Sequence, residues 1–65
     1  MTDYDPYYLR FEIQKRVEGN WKMADETTYL KLAKTIADTI RRLDGVPTRI
    51  LDRSKNDETV YYSDC

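Results

Sequence analysis

The sequence predicts an α+β fold of order ββαββ, a four-stranded, mainly antiparallel sheet with one helix packed on one face. Three observations predict it. Residues 7–17 alternate apolar and polar with period two. Residues 26–44 carry apolar side chains at helical spacing. Residues 48–63 hold two short β-prone runs on either side of a polar turn.

The chain has 65 residues, which is one domain. Residues 1–6 form an N-terminal tail broken by Asp3, Asp5 and Pro6, residues 7–63 the ββαββ domain, and residues 64–65 a C-terminal end. In the first strand Tyr7, Leu9, Phe11, Ile13 and Val17 share one parity, and Tyr8, Arg10, Glu12, Gln14 and Arg16 the other. A second strand over residues 21–25 follows a turn at Glu18-Gly19-Asn20. A three-residue loop places Trp21 opposite Val17 and Met23 opposite Lys15, which puts both with the apolar set. That register asks Gly19 or Asn20 to be left-handed.

The helix is expected over residues 26–44, with Asp25 as N-cap and Thr27 as the fallback. Tyr29, Leu32, Ala33, Ile36, Ala37, Ile40 and Leu43 form its apolar stripe. Arg41 and Arg42 suit the negative end of the helix dipole. Gly45 is the expected left-handed stop, and Pro47 forbids continuation. The second hairpin pairs residues 48–53 with 58–63 through Ser54-Lys55-Asn56-Asp57. Pairing Ile50 with Val60 turns Thr48 and Tyr62 inward, and Arg49, Tyr61, Leu51 and Thr59 outward.

One helix can cover only one face of such a sheet. The uncovered parity holds Tyr8, Arg10, Glu12, Gln14, Arg16, Lys22, Ala24, Arg49, Leu51, Arg53, Thr59 and Tyr61. It has five cations and one anion, although the whole chain has a net charge of −1. Of these, Tyr8, Arg10, Arg16, Lys22, Arg49, Leu51, Arg53 and Tyr61 are the candidate partner- or ligand-binding residues. Arginine forks match carboxylate and phosphate, and tyrosines fill a partner's pocket or stack on bases. The same face could instead pack on a second copy, or be an ordinary solvated surface.

The composition argues against catalysis. There is no histidine, and the single cysteine, Cys65, is the last residue beside Asp64, which raises a thiol pKa. Asp25/Glu26 and Asp57/Glu58 fall where helix starts and turns favour acids. Residues 52–57 lack the glycine and the bidentate glutamate of a calcium loop, and Gly19 and Gly45 do not make a phosphate cradle. No cofactor or metal is therefore expected. A chain this small is marginally stable, and with disulfides and zinc excluded a homodimer is the expected aid. A lone cysteine and an acidic N-terminus without a secretory apolar region suggest the cytoplasm. No apolar run approaches a membrane span.

The Val17-Glu18-Gly19-Asn20-Trp21 turn, the Leu43-Asp44-Gly45 helix end and the Ile50-Leu51-Asp52-Arg53 hairpin give residues 9–62 a layout that resembles the very small single-domain proteins of bacteriophages and mobile elements. The resemblance implies anti-defence activity in a host cytoplasm, without implying particular active residues. Three readings follow. The chain inhibits a host defence protein stoichiometrically; or it is a homo-oligomeric sponge for a nucleotide signal, with Arg10, Arg49 and Tyr61 as contacts; or it binds nucleic acid through the basic face. The net charge and a sequence pI near 5.3 weigh against the last.

Overall fold

The computed structural model describes residues 8–64. It contains β1 (Phe11–Val17), β2 (Asn20–Thr27), α1 (Leu30–Asp44), β3 (Thr48–Asp52), a 3₁₀ turn (Arg53–Lys55) and β4 (Glu58–Ser63). The four strands form one antiparallel sheet of order β2-β1-β3-β4, and α1 covers one face. The expected ββαββ architecture is the observed one. The expected tail, residues 1–6, and Cys65 lie outside the described residues.

The two central strands keep the parity of their sequence. Phe11, Ile13, Thr48 and Ile50 face the helix and are buried. Ala33 and Ala37 are buried against them, because their small side chains let the helix backbone approach the sheet. Leu30, Ile36, Ile40, Val60 and Tyr61 close the sides of this core. The Thr48 hydroxyl, fully buried, is satisfied by donating to the Ala37 carbonyl at 3.0 Å.

The edge strands depart from the expected register, β2 through a shorter turn that a β-bulge later offsets and β4 through a β-bulge alone. Val17 pairs with Asn20, so the first turn is the two-residue Glu18-Gly19 loop rather than a three-residue one. Both residues are left-handed, at φ 53 and φ 82, as a type I′ hairpin requires; Asn20 is already in the strand. Trp21 therefore opposes Arg16 and Met23 opposes Gln14, on the outer face. Ala24 is the extra residue that restores Asp25 opposite Ile13 and Thr27 opposite Phe11. In β4 the extra residue is Val60. Leu51 meets Thr59 as expected, but Ile50 meets Tyr61 and Arg49 meets Tyr62. Tyr61 consequently faces the helix and Tyr62 faces outward, the reverse of the expected assignment.

The element ends also shift. β1 starts at Phe11 rather than residue 7, and β3 ends at Asp52 rather than residue 53. The helix starts at Leu30 with Tyr29 as N-cap, because β2 runs on to Thr27. Asp25 and Glu26 belong to the strand, where Glu26 is drawn to Arg53 across the sheet. The helix end is as expected: Gly45 is left-handed at φ 69 and its N–H donates to the Arg41 carbonyl at 2.8 Å.

Candidate functional site: the uncovered sheet face

The observed pairings put three cross-strand rows on the uncovered face. Trp21 lies beside Arg16. The next row is Met23, Gln14, Arg49 and Tyr62, and the third is Glu26, Glu12, Leu51 and Thr59. Arg53 follows at the end of β3.

A continuous side-chain network crosses these rows. Arg53 Nη2 reaches Glu26 Oε2 at 2.8 Å and Glu12 Oε1 at 3.0 Å, while its Nη1 donates to the Leu9 carbonyl at 2.7 Å. The Gln14 amide donates to Glu12 Oε2 at 2.8 Å and accepts from Arg49 Nε at 2.7 Å. The hydrogen bond from Gln14, then the pairing with Arg53, holds the Glu12 carboxyl below its ordinary range against the opposing effect of burial. Arg53 is correspondingly raised by Glu26 and Glu12.

The network ends in an aromatic corner. The Arg49 guanidinium lies 4.4 Å from the Trp21 ring centre, and Trp21 meets Tyr62 edge to face with centres 6.0 Å apart. Their strands are the two edges of the sheet, about 14 Å apart at ordinary strand spacing. Each aromatic side chain must therefore lean inward over a central strand, with the Arg49 guanidinium against the Trp21 ring. Met23 and Tyr62 stay 56% and 51% exposed at this corner.

Of the eight candidate residues, Arg16, Arg49, Leu51 and Arg53 lie on this face. Leu51 is itself buried, at 9% exposure, and offers little contact area. The other four, expected on this face, lie elsewhere. Arg10 turns to the helix side, where Nε and Nη2 each lie 2.9 Å from the carboxylate of Asp52, a residue 2% exposed. Arg10 thereby holds Asp52 below its ordinary range, helped by the Ser54 N–H. Lys22 opposes Lys15, whose ammonium reaches Asp44 at the helix end, so its parity is that of the covered face. Tyr61 donates to Asp38 of the helix at 2.9 Å beneath Lys34, and Ser63 donates to the same oxygen. Tyr8 precedes the sheet, and its carbonyl accepts from Thr28.

Sequence parity missed Trp21, Met23, Tyr62 and Glu26. The signal that could have found the first two was Glu18-Gly19 as a type I′ pair; the bulges themselves leave no such mark. The face thus carries Arg16, Arg49 and Arg53 against Glu12 and Glu26, not five cations against one anion. It is a nearly balanced surface with one aromatic corner.

Among the described residues no cluster of three or more acidic, histidine or cysteine residues could hold a metal, and no helix is long and apolar enough to cross a membrane. A cleft of about 460 Å³ lies between the start of α1 and the end of β3, lined by Arg10, Phe11, Tyr29, Asp52 and Lys55 among others. Its arginine and carboxylate neutralise each other. No protein family, curated protein or solved structure matches the chain.

Proposed function

We propose that the chain is a non-catalytic binding protein that acts stoichiometrically on a protein partner through the corner formed by Trp21, Met23, Arg49 and Tyr62. One observation carries this reading. The register brings the single tryptophan, an exposed methionine and an exposed tyrosine around one arginine on the face the helix leaves open. Tryptophan, tyrosine, methionine and arginine are the side chains enriched in protein interfaces, and tryptophan, tyrosine and arginine dominate their energetics. The resemblance of the sequence layout to small phage proteins supports a bacterial defence protein as the first partner to seek.

The nucleotide-sponge reading loses support, since Arg10 is committed to Asp52 and Tyr61 to Asp38, away from Arg49. Nucleic-acid binding loses support because Glu12 and Glu26 share the face with its three arginines and pair with Arg53.

The test is capture from bacterial lysate on the tagged chain, with mass spectrometry of bound proteins and small molecules. A discrete protein should be retained near one-to-one and lost with Trp21→Ser or Tyr62→Ser variants that keep the wild-type circular dichroism. Retention unchanged in both variants, or a bound nucleotide with no protein, would refute the reading.

A further inference from the structure

We infer that the partner segment seated on this corner is acidic, presenting a carboxylate to Arg49 with apolar residues on either side. This rests on the function proposed above and names the chemistry of its partner.

The inference follows from where the arginines find their anions. Arg10 has Asp52, and Arg53 has both Glu12 and Glu26. Arg49 has only the neutral carbonyl of Gln14, through Nε. Its two Nη groups have no acceptor among the described residues. Glu12, in the adjacent row, has one oxygen engaged by Arg53 and the other by Gln14, and acts on Arg49 only at longer range, without an ion pair. Gln14 acts as a spacer: its amide satisfies Glu12 at one end and orients Arg49 at the other.

Arg49 is also held in place. The hydrogen bond through Nε fixes one edge of the guanidinium, and the Trp21 ring lies 4.4 Å away. Such a fork loses little side-chain entropy when it accepts a carboxylate, and arginine matches that planar group with two parallel hydrogen bonds. Arg16, in the adjacent row, makes no ion pair among the described residues and adds a second positive charge. Trp21, Met23 and Tyr62 surround the fork with apolar surface that a seated partner would cover, which strengthens a charge pair there. The same apolar rim suits leucine-like neighbours of a carboxylate better than a hydrated phosphate backbone.

Trp21 is the only tryptophan, so its fluorescence reports this corner alone. The probe is a ten-residue peptide of alternating leucine and glutamate, capped at both ends, beside the same peptide with glutamine for glutamate. Titrations are followed by Trp21 emission and by amide shifts of the full chain. The glutamate peptide should bind about tenfold more tightly, the factor one charge-assisted hydrogen bond contributes. Arg49→Gln should remove most of that preference, and Arg16→Gln part of it, with circular dichroism unchanged. Equal binding of the two peptides at Trp21 overturns the acidic partner but leaves the corner as a partner surface. A preference that survives Arg49→Gln, or no Trp21 response to either peptide at millimolar concentration, also overturns it. Loss of the broader reading would show separately, as lysate capture indifferent to Trp21→Ser.

Discussion

The position of Trp21 and Met23 depends on one hairpin turn, and that turn can be tested residue by residue. Glu18 lies at φ 53 and Gly19 at φ 82. A left-handed backbone costs an ordinary residue about 1–2 kcal/mol, and glycine avoids the cost. A Cβ placed on Gly19 would meet nothing within 4 Å, so Gly19→Ala isolates the backbone contribution. It should destabilise the chain by about 1–2 kcal/mol. Glu18 already carries this strain, and asparagine tolerates left-handed backbone better. Glu18→Asn creates the Asn-Gly pair preferred in type I′ turns and should stabilise by about 0.5–1 kcal/mol. Asn20 is the first residue of β2, paired with Val17, so Asn20→Thr should be neutral or stabilising by a few tenths of a kcal/mol. Urea unfolding followed by Trp21 fluorescence and circular dichroism measures all three. In a domain of this size about 1 kcal/mol moves the thermal midpoint by roughly 4–8 °C, which is easily resolved. A three-residue loop with Asn20 left-handed gives the opposite pattern, in which Asn20→Thr costs about 1 kcal/mol and Glu18→Asn does nothing. That pattern would turn Trp21 and Met23 to the helix side and remove the proposed site.

Two further predictions bear on the other edge and on the charge network. Tyr61→Phe should lower the urea midpoint, since it removes the hydrogen bond to Asp38 of the helix, whereas Tyr62→Phe should leave it unchanged; equal effects would deny the bulge at Val60. The bond to Asp38 raises the Tyr61 phenol above its usual range, so this contribution is present below pH 10 and fades as pH rises further. Asp52 and Glu12 are held below the usual carboxylate range, Asp52 by Arg10 first and Glu12 by Gln14 first. Their contribution is therefore present above the unfolded-state pKa near 4 and lost as pH falls through the folded values. Between pH 7 and pH 2 the urea midpoint should stay level to about pH 5 and then fall, and Asp52→Asn should flatten that fall. An identical acid limb in the variant would show that Asp52 gains nothing from Arg10.

What was legible in the sequence divides along the sheet. The central strands could be read because they pair from Phe11 to Lys15 and from Thr48 to Asp52 without a bulge, so their faces alternate as counted although Lys15, Leu51 and Asp52 break the apolar pattern. The helix end could be read because Gly45 and Pro47 permit one local structure. The edge strands could not. In β2, Trp21 and Met23 share odd numbering with Asp25 and Thr27, yet Ala24 divides them between the two faces. In β4, Thr59 and Tyr61 are likewise divided by Val60. A bulge leaves composition untouched and reverses every side chain beyond it, so parity counted through it gives the wrong face. The helix start departs from the expected one for a related reason. Asp25 and Glu26 resemble a cap, but Glu26 gains an ion pair with Arg53 that only the folded sheet supplies.

The two bulges also explain how so short a chain builds both a core and a contact surface. A four-stranded sheet with strict alternation has to choose, at each edge strand, between feeding the helix side and feeding the open side. Here each edge does both. β2 gives Thr27 to the covered side near Phe11 and Trp21 with Met23 to the open side near Arg16. β4 gives Tyr61 to the helix and Tyr62 to the open corner. The central strands then supply the charges, and Glu12, Gln14 and Arg53 consume one another's hydrogen bonds while Arg49 is left facing the aromatics. The same substitution therefore has different consequences along one strand. Removing Arg53 takes the ion pairs from two glutamates and weakens the fold, whereas removing Arg49 costs a contact with the Trp21 ring and leaves a glutamine carbonyl that water can satisfy. Arg49 is the arginine whose loss should be read in binding rather than in stability.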